Sequence, residues 1–233
     1  MRYLQNFGDR RQTALCVHCG DTSVETLDHV PSKVLLDCPY PDQLPTVNSC
    51  RKCNEGFSED ELYLACLIEC VLCGSTEPEE LKRPKIARAL RERPLLARRL
   101  AAARYATNGR IIFSVEHDRV QRVIVKLARS HALYELNEPQ LTEPANIGFY
   151  PIGSLSEDGR QQFETGGAAG LVSVWPEVGS RAMQRLAESW RGEAGWLIVQ
   201  PGRYRYIASA DPEGVTVKMV LSEYLACEVI WEN

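Results

Sequence analysis

Beyond Pro139 the chain alternates apolar and polar positions with the two-residue period of strands that bury one face. Val215, Val217, Met219 and Leu221 show it best. Strands are predicted at Leu171–Trp175, Trp196–Gln200, Tyr204–Ser209, Val215–Leu221 and Leu225–Trp231, interrupted by one helix from about Ser180 to Trp190. The aromatic residues Trp175, Trp190, Trp196, Tyr204, Tyr206 and Trp231 suit the core of this region. Upstream the period becomes helical. From Asp118 to Leu133, Val120, Val123, Ile124, Leu127 and Ala128 share one stripe. Residues 78–107 read as helices broken at Pro84 and Pro94, followed by a strand at Ile111–Val115.

The first part of the chain has only short apolar stretches. Thr13–Val17 and Val24–Leu27 are candidate strands, and Pro31, Pro39, Pro41 and Pro45 make residues 31–47 an extended loop. Ser58 with Glu61 reads as a capping box that starts a helix at Glu59, running to Leu72 and ended by Gly74. The pattern predicts an α+β protein in three parts. Residues 1–77 form a turn-rich finger, residues 78–139 a helical middle, and residues 140–233 an antiparallel β-rich domain.

Composition narrows the picture. Hydrophobic residues make up 44% of the 233 and charged residues 25%, as in ordinary globular proteins. No apolar run approaches the length of a membrane helix, and no apolar stretch follows Met1-Arg2 as a signal peptide would require. A cytoplasmic protein without a membrane partner is expected. The net charge of −4 is unevenly spread. Residues 1–77 hold 6 basic and 12 acidic side chains, residues 78–139 hold 14 and 7, and residues 140–233 hold 7 and 12. The basic middle is a candidate polyanion-binding face, led by Lys82, Arg83, Lys85, Arg88, Arg91, Arg93, Arg98, Arg99 and Arg104.

Nine cysteines in a reducing compartment point to metal rather than disulfides. Cys16-Val17-His18-Cys19 and Cys50-Arg51-Lys52-Cys53 are two C-x-x-C knuckles with thirty residues between them. Each gap lets both thiolates face one ion, and together they supply the four ligands of a closed structural zinc site. Cys66, Cys70 and Cys73 share a helix face and read as buried side chains; a second zinc there would need Cys38. Cys227 falls on the core side of a strand, and His117 and His131 belong to no cluster.

Between the knuckles lie Leu27-Asp28-His29-Val30-Pro31 and Asn48, and Asn54 directly follows Cys53. In this order and spacing the chain resembles the His-Asn-His endonucleases in their zinc-finger, ββα-metal form, over about residues 14–62. The resemblance implies that His29 is the general base and that Asp28 and Asn54 are oxygen ligands of a catalytic magnesium or manganese ion. It also implies that Asn48 is a structural residue holding the His29 segment across the loop. Asp28, adjacent to His29 in an extended segment, is expected to point to the other side of the chain. Phe57 stands where better-known members carry a lysine, and Asp60 or Glu61 are further candidates near the metal. A metal-dependent nuclease of nucleic acid, DNA above all, is the function implied, of the kind found in mobile elements, restriction and phage defence. Two rivals keep the cysteines. One is a non-catalytic zinc module that binds nucleic acid or protein, and the other is a nuclease subunit whose β domain docks a protein partner. No P-loop, dinucleotide fingerprint or nucleophile elbow is present.

Overall fold

The computed structural model describes residues 14–42, 44–165, 181 and 195–233. The strand expected at Leu171–Trp175 lies outside them, as does the helix from Ser180 to Trp190 apart from Arg181. The architecture is mixed α+β. Two compact units divide it, one made of residues 1–56 and 124–233 and the other of residues 57–123.

In the first unit β1 (Thr26–His29) and β2 (Thr46–Ser49) pair antiparallel, with Asp28 opposite Val47 and His29 opposite Thr46. β2 begins inside the stretch expected to be loop, because its strand partner supplies the ladder that four isolated residues cannot. Ala14–Val17 forms turns instead of a strand. Helix α1 (Arg51–Cys73) starts eight residues before the expected Glu59. The reason is local: the Cys53 backbone N–H donates to Cys50 Sγ at 3.4 Å, so a cysteine sulfur does the work of an N-cap oxygen. Ser58 and Glu61 are then interior helix residues.

The same unit holds a five-stranded antiparallel sheet, in the order β5 (Asn146–Pro151), β9 (Leu225–Glu232), β8 (Gly214–Leu221), β7 (Tyr204–Asp211), β6 (Leu197–Gln200). Four of these strands lie within a residue or two of their expected bounds. Register sets Tyr206, Met219 and Cys227 side by side on one face, all fully buried, with Tyr204 and Leu221 beside them. Burying side chains of this size contributes about 1.5–3 kcal/mol each. Across that face runs the C-terminal half of α4 (His117–Leu136). Its His131 stacks on Tyr206 at 3.7 Å and bonds the Tyr204 hydroxyl at 2.8 Å, and its Glu135 accepts from the Tyr206 hydroxyl. On the other face Phe163, from helix α5 (Glu157–Thr165), packs with Ile152, Val220 and Ala226. Leu133 of α4 also packs with Val17, Val30 and Val47 of the finger, so one helix supports both the finger and the sheet.

The second unit contains the rest of α1, α2 (Pro84–Glu92), α3 (Pro94–Ala103) and a hairpin of β3 (Arg104–Thr107) and β4 (Arg110–Phe113). Each of α2 and α3 begins with its proline, where the missing N–H costs nothing. The hairpin turns on Asn108-Gly109, both at positive φ, as a two-residue turn between twisted strands requires. Arg104–Thr107 pairs as a strand here although the sequence pattern continues a helix to residue 107. Ile86, Leu90, Leu100, Tyr63 and Val123 are buried in this unit.

Candidate functional site

The two knuckles close on each other. The ligand atoms of Cys16, Cys19, Cys50 and Cys53 all lie within 4.8 Å of one another, and the Cys19 and Cys50 sulfurs are 3.8 Å apart. Tetrahedral zinc with Zn–S bonds of about 2.3 Å spaces its sulfurs by about 3.8 Å, so the donor set fits that ion. The first knuckle is a tight turn in which the Gly20 N–H donates to Cys16 O at 2.8 Å and Cys16 N–H to Asp21 O at 2.8 Å. Gly20 sits at φ +74°, and a Cβ there would meet Leu141 at 2.9 Å. The second knuckle is the first turn of α1, whose N-terminal dipole favours thiolate. Burial pushes the Cys16 thiol up, but N–H groups of Cys50, His18 and Cys19 outweigh it and bring its pKa down to about 7. Burial pushes the Cys53 and Cys19 thiols upward, and at Cys53 the neighbouring Cys50 and Cys19 sulfurs add to the rise. A cluster of thiols that cannot all ionise side by side is what a cation resolves. An ion held by four protein sulfurs has no open position for water. This is the only such group of possible metal ligands among the described residues. Cys66 and Cys70 are buried thiols raised to about 12 by desolvation, and Cys73 donates to Glu69 Oε1. Asp60 is bound by Arg119 at 2.6 Å and Arg122 at 3.0 Å. Cys227 is fully buried in β9, His131 in the sheet cluster, and His117 is exposed.

The strand alternation sorts the remaining site residues onto two faces. Leu27, His29, Thr46 and Asn48 point to one side, none of them buried, while Asp28, Val47 and Ser49 are buried on the other. His29 and Asn48 thus share an open face, with Asp28 behind it. The His29 imidazole is held neutral: burial lowers its pKa, and Lys33 lowers it further. Asn48 also contributes its backbone, accepting from Val17 N–H at 3.0 Å and tying the first knuckle to β2. Asn54 turns its amide to the start of β1, donating to Thr26 Oγ1 at 3.1 Å, and Thr26 Oγ1 in turn donates to Ser49 O at 2.8 Å.

Asp28 is engaged on both oxygens. Lys126 Nζ of α4 lies 2.9 Å from Oδ1 and 2.8 Å from Oδ2, and His18 Nε2–H donates to Oδ2 at 3.1 Å. Lys126 also donates to Ser32 Oγ at 2.7 Å. Desolvation opposes ionisation of Asp28, yet the His18 hydrogen bond and the Lys126 charge hold its carboxyl below the ordinary range. Burial keeps His18 neutral. The surroundings of Asp28 fit a magnesium or manganese ion poorly, because a cation and a ring N–H already engage three of its four lone-pair positions. Lys126, His18 and Ser32 were invisible as site residues. One signal existed: Lys126 lies three residues after Val123 and seven before Leu133, along an edge of the buried stripe where lysine has no place unless paired.

Four arginines of the basic segment have acidic partners. Arg91 pairs with Glu79 at 3.1 Å, Arg99 with Glu116 at 3.4 Å, and Arg93 with Glu59. Arg88 pairs with Glu92 at 3.8 Å, Arg83 is buried, and Arg98 is exposed. No helix among the described residues is long and apolar enough to cross a membrane. Comparison with protein-family models, curated proteins and solved structures produced no match, so geometry and residue chemistry alone carry the functional reading.

Proposed function

We propose that the finger is a zinc-stapled nuclease module of the His-Asn-His kind, in which His29 acts as general base in cleaving phosphodiester bonds of nucleic acid, with DNA the expected substrate. The observation that supports it is a neutral imidazole on the open face of a two-stranded hairpin clamped by four cysteines. An imidazole in that state takes a proton near neutral pH. In the step it would serve, water attacks phosphorus while His29 accepts its proton, the P–O bond to the leaving oxygen breaks, and that oxygen is protonated from solvent. The zinc is structural in this reading, and Asn48 supports the strand beside His29. His29→Ala is expected to lower plasmid cleavage by about a hundred- to ten-thousandfold, with zinc content and thermal stability nearly unchanged. Equal cleavage by the variant overturns the assignment.

A second reading has its own observation. The Asp28 carboxylate is buried and bonded to Lys126 and His18, as in a structural strut. On that reading the protein is a non-catalytic zinc module, and the partner is nucleic acid at the basic segment or a protein at the C-terminal sheet. Absence of any His29-dependent cleavage, with binding to duplex DNA retained, selects it.

A further inference from the structure

We infer that the Lys126 ammonium is a built-in cation standing where a divalent metal would sit on Asp28, so that the native protein takes no magnesium or manganese ion at this carboxylate. The inference concerns the same hairpin as the nuclease reading, and rests on it only for where a metal is to be sought. The geometry is that of a filled site. An ammonium has three protons, and Lys126 finds three acceptor atoms, Asp28 Oδ1 at 2.9 Å, Asp28 Oδ2 at 2.8 Å and Ser32 Oγ at 2.7 Å. Side-chain exposure is 1% for Lys126 and 6% for Asp28, so neither group meets bulk water.

Charge points the same way. One carboxylate and one ammonium cancel. A divalent ion added here would leave two uncompensated positive charges in a dry interior. Magnesium needs about six oxygen ligands at about 2.0–2.1 Å and gives up its waters reluctantly. Among the described residues Asp28 and Ser32 offer side-chain oxygens here, water would have to supply the rest, and the Lys126 ammonium stands in the position that such an ion would take between them. To admit the ion, Lys126 would have to surrender two short hydrogen bonds and a 2.8 Å ion-pair contact while its charge stayed buried. The ammonium therefore does permanently what a dissociable metal does conditionally: it holds the carboxylate ionised and pins β1 and the Ser32 turn to α4. Asp28 is on this account a positioning residue for the neighbouring His29.

The test is manganese binding by the full-length protein with zinc in its cysteine site, read from the electron paramagnetic resonance signal of free manganese. The native protein is expected to bind no manganese beyond the level of Asp28→Asn, up to about millimolar metal. Lys126→Ala, which vacates the position beside Asp28 and Ser32, is expected to bind one ion at least about tenfold more tightly than native. A second measurement needs no variant. The Lys126 ammonium, protected from solvent, should give a nitrogen-15 correlated proton signal that about 10 mM magnesium leaves in place. One manganese per native chain that Asp28→Asn removes, or loss of the ammonium signal on adding magnesium, overturns the inference. So does a folded Lys126→Ala that binds no manganese, because the position would then not be a latent metal site. Cleavage that requires His29 and the absence of manganese binding are separate readouts, so either reading can fail while the other stands.

Discussion

Cys50→Ser separates two contributions that one sulfur makes. Cys50 Sγ belongs to the four-sulfur cluster and also accepts the Cys53 N–H at the start of α1. Serine is among the best N-caps, so the variant keeps a cap worth about 1 kcal/mol. Serine is a poor zinc ligand, and metal binding in small cysteine sites supplies on the order of 10 kcal/mol of folding free energy. The apolar core left to replace it is small. Val17, Val30 and Val47 pack against Leu133, with Leu35 and Leu36 also buried, and burying these five finger side chains contributes about 7.5–15 kcal/mol before chain entropy is subtracted. Loss of the ion should thus melt the finger while the β sheet, with its own buried aromatic core, persists. The assay is zinc content by elemental analysis beside limited proteolysis. The expected result is less than about a tenth of the native zinc and new cleavage points between residues 20 and 50, with the fragment carrying residues 197–232 still resistant. If Cys50→Ser keeps one zinc per chain and native protease resistance, the cluster is not what holds the finger together.

Three further expectations rest on particular side chains. Gly214 lies at φ +150°, and a Cβ there would fall 1.8 Å from Trp231 O, so Gly214→Ala should destabilise the β8–β9 ladder by at least about 1–3 kcal/mol in chemical denaturation; a change under about 0.5 kcal/mol contradicts this. The Arg205 guanidinium bonds Glu164 through both nitrogens at 2.7 and 2.8 Å and depresses the Glu164 pKa below 4.5. The stability from that pair is complete above about pH 4.5 and is lost as pH falls through the lowered value, so the difference in Tm between native and Arg205→Gln should shrink between about pH 6 and pH 3; a constant difference refutes the link. Duplex DNA binding should weaken steeply with salt, and neutralising Arg88, Arg91, Arg98 and Arg99 together should reduce the salt slope by about one for each DNA phosphate these arginines neutralise, whereas an unchanged slope means that this face does not touch DNA.

What the amino-acid order determined by itself was whatever depends on near neighbours. The two C-x-x-C pairs announce a shared ion because two residues between thiols suffice to aim both at one point, and the fold brings all four sulfurs together. Period-two alternation located β6 to β9 to within a residue or two, since pleating forces every second side chain to the same face. The same alternation foretold that Asp28 and His29 would point apart. Three other matters needed the three-dimensional structure, one of them local and two of them tertiary. β2 and β3 are four residues each and exist through their partners. The start of α1 differs from the sequence pattern because a sulfur caps it, and cysteine carries no capping signal in a sequence. The environment of Asp28 depends on Lys126, ninety-eight positions away, and on an α4 helix that touches the finger and the sheet together. Whether a carboxylate meets a metal ion or an ammonium is settled by which distant side chain reaches it first, and residue spacing around Asp28 holds no record of that.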